Sequence, residues 1–112
     1  MKKIEACIRA EKVGPVRKAL EKVNISGLTL YQVDGHGKQR GKVQKYNGEE
    51  FKVGILPKAK IEIISRDEEV KAIIEAIIEA ARTGEFGDGK IIVTPVEELI
   101  RIRTGETAEK AL

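Results

Sequence analysis

AKIEIISRDEEVKAIIEAIIEAARTG, residues 59–84, decides how this chain folds. Ala59 to Ile64 reads as a strand, with Ile61 and Ile63 on one side and Glu62 on the other. Ser65-Arg66-Asp67-Glu68 has the spacing of a capping box, the signature of a helix about to begin. Val70, Ile73, Ile74, Ile77, Ile78 and Ala81 then trace one helical stripe, and Gly84 supplies the stop. A strand therefore runs straight into an amphipathic helix. A glycine-rich turn leads on to a further strand, Lys90 to Thr94, with Pro95 near its end.

The same order is written into the first part of the chain. Ile4, Ala6 and Ile8 alternate with Glu5, Cys7 and Arg9, which is a strand period. Gly14 and Pro15 fit the N-cap and first position of a helix whose apolar face is Val13, Val16, Leu20 and Val23. Asn24 to Gly27 is a turn, and Leu28 to Val33 is β-branched and aromatic enough for a second strand. Lys3-Ile4-Glu5 recurs as Lys60-Ile61-Glu62 at the start of the second half. Two βαβ halves of this size predict an α+β fold, the ferredoxin-like βαββαβ sandwich, with both helices on one face of an antiparallel sheet and the second and third strands as neighbours.

Alternation then assigns the two faces of that sheet. Leu28, Leu30, Ile61, Ile63, Ile91 and Val93 are expected to meet the helices. The other face carries Cys7, Tyr31, Val33, Ile64 and Ile92 among Thr29, Glu62 and Thr94, and no element remains to cover it. A half-apolar uncovered face predicts self-association into a homo-oligomer, with clefts between subunits. Cys7 reads as a small buried or interface residue, since no base lies near it in a readable motif.

Between the halves lies GHGKQRGKVQKYNGEEFKVGILP, residues 35–57, with no sustained helical or strand period. Gly35, Gly37, Gly41, Gly48 and Gly54 make regular structure costly there, and the intervening residues are mostly polar or basic. Loops of this length in a small domain are usually functional or disordered. The expectation is a long hairpin connection that stays mobile until something binds it.

A chain of 112 residues makes one domain. Its net charge of +3 comes from mixed signs at 35% charged residues, which describes a solvated surface and does not by itself imply nucleic acid. Abundant charge, many Ile, Glu and Lys and no Trp resemble thermophile usage. One cysteine excludes an internal disulfide and a multi-cysteine metal site. The opening MKKIEACIRAEK is too polar for a signal peptide, and no run suits a membrane helix, so a cytoplasmic protein is expected.

Two stretches point to ligand chemistry. Thr83-Gly84-Glu85-Phe86-Gly87-Asp88-Gly89-Lys90 can turn successive N–H groups into one concavity that suits phosphate, with Lys90 as counter-charge; a routine glycine turn remains the plainer reading. In Ile100-Arg101-Ile102-Arg103-Thr104-Gly105-Glu106, an extended backbone puts Arg101 and Arg103 on one side, as polyphosphate recognition needs. Protection of a solvated edge would use the same residues.

Taken together, five blocks resemble the nitrogen-regulatory PII signal proteins over residues 1–106, in order and without gaps. They are Met1 to Ala6, Gly35 to Gly41, Leu56 to Ile63, Thr83 to Ile91 and Ile100 to Glu106. The resemblance implies a homotrimeric sensor of ATP, ADP and 2-oxoglutarate that is not an enzyme and has no catalytic residues. Residues 35–57 correspond to the family's target-docking T-loop, with Lys42, Tyr46, Asn47 and Phe51 at target-binding positions. Gly87, Asp88, Gly89 and Lys90 match the phosphate-binding turn within 83–90. Arg101 and Arg103, in the 101–106 segment, match arginines reaching the nucleotide from the adjoining subunit. Thr29, Glu62 and Ile64 match positions around the adenine, and Gly35, Gly37 and Lys38 belong to the nucleotide-contacting loop base. Gln39 matches the side chain that helps hold Mg²⁺ with ATP and 2-oxoglutarate, and Lys58 the lysine that pairs with a 2-oxoglutarate carboxylate. Expected partners are an ammonium transporter, which is the only implied membrane contact, glutamine synthetase or other nitrogen enzymes; no nucleic acid is implied.

Several residues depart from the family pattern. Phe51 stands where many members carry the tyrosine that is uridylylated, and without a hydroxyl that modification cannot occur there. Asn47 replaces the arginine usual in channel-blocking members, Lys38 a frequent arginine, and Ile92 an aromatic. His36 has no second ligand at metal spacing. The alternatives are a related trimer sensing another small molecule, such as bicarbonate or a different nucleotide, and a ferredoxin-like RNA-binding module. Against the latter stand only two Tyr and two Phe, with no aromatic pair on adjacent strands.

Overall fold

The computed structural model describes residues 1–36, 44–46, 49–51 and 55–112. Among them run β1 (Lys2–Arg9), α1 (Val13–Glu21), β2 (Thr29–His36), β3 (Gln44–Tyr46), β4 (Glu49–Phe51), β5 (Ile55–Ser65), α2 (Val70–Ala81) and β6 (Lys90–Pro95). The main sheet is antiparallel in the order β2-β5-β1-β6. Its four strands and two helices are those of the α+β arrangement that the duplicated pattern predicts, and β2 and β5 are neighbours.

The core lies between the sheet and the helices. Ile4, Ala6, Ile8, Ala59, Ile61 and Ile63 pack with Val16 and Leu20 of α1 and Ile73, Ile77 and Ala81 of α2 in one buried cluster. Each fully buried Ile or Leu contributes about 1.5–3 kcal/mol relative to exposure. Leu28 and Ile91 are half-buried against this cluster. Leu30 and Val93 sit on the outer strands and remain exposed, because helix cover runs out at the sheet edges.

Both helix starts differ from the sequence expectation. α1 begins at Val13 with Lys12 as N-cap, so Pro15 lies inside the first turn and not at its opening position. Proline is tolerated there because the first-turn N–H groups have no intrahelical partner in any case. The capping box is not made: no side-chain cap bond forms, and a 3-10 turn at Asp67–Glu69 leads into α2, with the Glu69 N–H donating to the Arg66 carbonyl at 3.1 Å. Ser65 ends β5 on the core-facing side, where its hydroxyl is buried without a partner among the described residues. Three acidic residues in that 3-10 turn, Asp67, Glu68 and Glu69, suit the positive end of the helix dipole instead.

The interval from Gly35 to Pro57 contains more strand than its composition suggests. β2 continues past Val33 to His36, paired with β5 as Asp34↔Pro57, Gly35↔Leu56 and His36↔Ile55. β3 and β4 pair antiparallel as a separate two-stranded ribbon. Strand pairing is a matter of backbone hydrogen bonds, which leave no side-chain period where no buried face enforces one. No helix among the described residues is long and apolar enough to cross a membrane.

Candidate functional site

After Ala81 the chain leaves α2 through Arg82 in an extended conformation and turns on Gly84, Gly87 and Gly89, whose φ values are +88°, +101° and +98°. At Gly89 a Cβ atom would sit 1.7 Å from the Cys7 carbonyl oxygen, so no side chain fits between the turn and β1. Asp88 staples the turn internally. Its carboxylate accepts from the Thr83 hydroxyl, from the Thr83 N–H at 2.8 Å, from the Gly84 N–H at 2.9 Å and from Arg9 Nε at 3.1 Å. Burial works to raise its pKa, but the bonds from Thr83, Gly84 and Arg9 outweigh it and hold the carboxyl far below the ordinary range.

Two cations from the sheet close on this turn. Arg9, at the end of β1, also donates from Nη2 to the Phe86 carbonyl at 2.6 Å. Lys58 of β5, its direct cross-strand partner, donates to the Gly87 carbonyl. Lys58 is buried, and that burial lowers its pKa; the Arg9 charge pushes the same way, while Cys7, Glu11 and Asp88 oppose. A cleft of about 200 Å³ lined by Ala10, Gln32, Val33, Pro57 and Lys58 lies beside it. On the other side, Asp88, Gly89 and Lys90 border a groove of about 440 Å³ between α2 and β6, with Ile74, Ile78, Ile91 and Val93 in its wall. Lys90 itself is exposed.

The sequence-predicted residues thus fall into separate groups. Gly87, Asp88, Gly89, Lys90 and Lys58 come together, and Gly35 is on β2 opposite Leu56. Thr29 and Glu62 face each other across β2 and β5, and Ile64 lies further along β5. At about 3.3 Å per residue, Glu62 is about 13 Å and Ile64 about 20 Å along the strand from Lys58. Glu62 accepts from the Tyr31 hydroxyl at 2.7 Å and pairs with Lys3 at 3.7 Å. It belongs to a lattice of charges on the open face: Lys3 reaches Glu5 at 2.8 Å, Lys60 reaches Glu5 at 3.7 Å, and the Lys60 ammonium lies 5.6 Å from the Tyr31 ring centroid. This face is therefore more charged than its Cys7, Ile64 and Ile92 positions alone suggest.

Arg101 and Arg103 form a third group. Ile100 bridges to Thr107, the Gly105 N–H donates to the Arg101 carbonyl at 2.7 Å, and Arg101 Nη2 donates to the Leu112 carbonyl at 2.5 Å. Arg103 and Ile102 are exposed. Among the described residues, no hydrogen bond or ion pair joins either arginine to the glycine turn. The segment is a compact turn and not the extended strand whose alternation would align the two guanidiniums. Gly37, Lys38, Gln39, Lys42 and Asn47 lie outside the described residues, while Tyr46 ends β3 and Phe51 ends β4. Arg9 is the contributor that sequence reasoning missed. Its alternation placed it on the open face, but only the register of β1 against β5 sets it beside Lys58.

Comparison with known proteins shows the family of the chain. The family model described as nitrogen regulatory protein P-II matches residues 1–106. The chain is 50% identical to the nitrogen regulatory protein P-II of Rhizobium meliloti (strain 1021) and 51% identical to that of Azospirillum brasilense, in each case over the full length of both chains. It is 46% identical to nitrogen regulatory protein P-II 2 of Methanothermobacter thermautotrophicus, over all of this chain and 97% of the relative. With a family model spanning nearly every residue and relatives near half identity along the whole length, the chain belongs to the nitrogen regulatory protein P-II family.

Proposed function

We propose that this protein is a homotrimeric, cytoplasmic nitrogen-regulatory signal protein and not an enzyme. It binds ATP or ADP in competition, takes 2-oxoglutarate together with Mg-ATP, and acts on targets such as an ammonium transporter or glutamine synthetase through the 35–57 segment. The observation that carries this reading is the turn at Gly87 to Lys90, with Arg9 and Lys58 behind it. Arg9, Lys58 and Lys90 bring three positive charges to the single carboxylate of Asp88, whose oxygens are already engaged by four donors. The turn is left net positive, as a phosphate site requires.

The separation of the candidate residues supports a shared site. Thr29, Glu62, Ile64, Arg101 and Arg103 do not reach the turn of their own chain, so a neighbouring copy is the source that would complete it. The charged and apolar open face of the sheet is the surface proposed to join the copies.

No three His, Cys, Asp or Glu side chains cluster as a metal cage among the described residues. In the proposed reading the ion would be carried mainly by ligand oxygens, with Gln39 as the chain's contribution. Gln39 would help hold a Mg²⁺ bound to ATP phosphates, and the ion would supply hard-cation binding for the keto and carboxylate oxygens of the oxo acid. Lys58 then has a carboxylate to bind in exchange for the Gly87 carbonyl, and that exchange couples the acid to the turn. Nucleotide and acid together set the population of loop conformers, which targets read. Tyr31, the aromatic on the open face, is taken up by Glu62 and Lys60, which does not favour an RNA-stacking role.

Calorimetric titration of 2-oxoglutarate with Mg-ATP, with Mg-ADP and without nucleotide tests the proposal. Binding with Mg-ATP alone is expected. If ATP binds and the acid never does, carbon sensing fails and a trimer tuned to another ligand takes its place.

A further inference from the structure

Arg9 and Lys58 lie directly opposite each other on the same face of the sheet. Like charges in that relation repel. Both are withdrawn from water, the Arg9 side chain to 11% exposure and Lys58 to 6%. Such a pair is stable only where acceptors face it. Those acceptors come from three consecutive residues of the distant turn: the Phe86 carbonyl and the Asp88 carboxylate for Arg9, and the Gly87 carbonyl for Lys58. In a planar trans peptide the carbonyl and the following N–H point opposite ways. Drawing the Phe86 and Gly87 carbonyls toward the cations therefore turns the Gly87 and Asp88 N–H groups away from them.

We propose that Arg9 is a positioning residue for the glycine turn: its guanidinium grips the Phe86 carbonyl and the Asp88 carboxylate together and so aims the Gly87 and Asp88 N–H groups at an incoming phosphate. Lys58 completes the grip through Gly87. That the phosphate belongs to a nucleotide rests on the proposed function; the grip itself is a property of the chain alone. A guanidinium is the group that can serve both acceptors at once, which an ammonium on the same strand position cannot match in geometry.

Arg9→Ala and Arg9→Lys test this in the full-length protein, with amide hydrogen exchange at Gly87 to Lys90, calorimetric titration of ADP and thermal melting. Arg9→Ala is expected to speed exchange in the turn by about tenfold and to weaken ADP binding by about tenfold, with β5 protection retained. Arg9→Lys is expected to fall between, at about threefold in each. A purely structural role would lower the melting temperature and loosen β1 and β5 along with the turn, and that result overturns the proposal. So does unchanged turn exchange, or faster exchange with ADP affinity intact. If the unaltered protein binds no ADP, the nucleotide reading fails and the exchange comparison alone decides the role of Arg9. Should Arg9→Ala not fold, Arg9→Lys against the unaltered protein decides between the same outcomes.

Discussion

The glycine turn at residues 83–90 and the arginine segment at 101–106 carry similar polar chemistry, yet the chain treats them differently. The turn is braced from far away: Arg9 reaches Phe86 and Asp88, Lys58 reaches Gly87, and the Gly89 backbone presses on Cys7. Among the described residues the arginine segment is held locally, by the Gly105 and Glu106 main chain and by carbonyls at Ala111 and Leu112. Fixing a segment through distant contacts preorganises it, whereas local turns hold shape without fixing where the side chains meet a ligand. In the proposed trimer, one half of the site would be finished within a chain and the other half would come from a neighbour.

The sharpest way to break this contrast is at the glycines. Gly89→Ala must push the turn off β1 and also accept a φ of +98°, so a loss of about 3 kcal/mol and of measurable ADP binding is expected by melting and calorimetry. Wild-type affinity in that variant would mean the turn is not the phosphate site. Charge at the arginine segment should affect binding more than folding. Arg101→Ala and Arg103→Ala are each expected to weaken ADP binding about tenfold, Arg103→Ala at constant melting temperature and Arg101→Ala with a small drop as the bonds to the Ala111 and Leu112 carbonyls are lost. Mixed with Lys90→Ala protein, either should regain a fraction of tight sites, since some interfaces then carry both halves intact; failure to regain any would argue for a site built within one chain.

Asp88 gives an intermediate effect with a pH signature. Its folded pKa is depressed, so its contribution is complete above the unfolded value of about 4 and is lost as pH falls through the folded pKa. Asp88→Asn is expected to lower the melting temperature by about 5 °C at neutral pH and to flatten the acid limb of a stability profile. Equal acid sensitivity in both proteins would assign that limb to other carboxylates. The smallest effect belongs to Gly105→Ala, where φ is +72° but nothing crowds the added methyl; about 1 kcal/mol is expected, read by melting.

Much of this architecture is legible in the order of the residues. Periodicity marks the four main strands and both helices, because burial on one face forces apolar residues to recur at the spacing of the element. The βαβ repeat points to the topology, and the glycine spacing together with Lys90 points to the turn. The helix starts at Pro15 and Ser65 are not legible in the same way. Capping depends on where a hydroxyl points, and Ser65 points into the core. The strand residues within 35–57 escape a reading of the sequence because backbone pairing leaves no mark on side-chain order.

What the amino-acid order determined by itself was therefore the four main strands and two helices, the two faces of the sheet and the chemical character of the turn, each of which depends on neighbours a few residues apart. Only the tertiary structure decided that Arg9 stands beside Lys58, that both hold a turn from the other half of the chain, and that Gly89 can be nothing but glycine. It also separated Thr29, Glu62, Ile64, Arg101 and Arg103 from that turn. Those relations are set by strand register and by backbone approaching backbone across long sequence separations, and no local pattern encodes them.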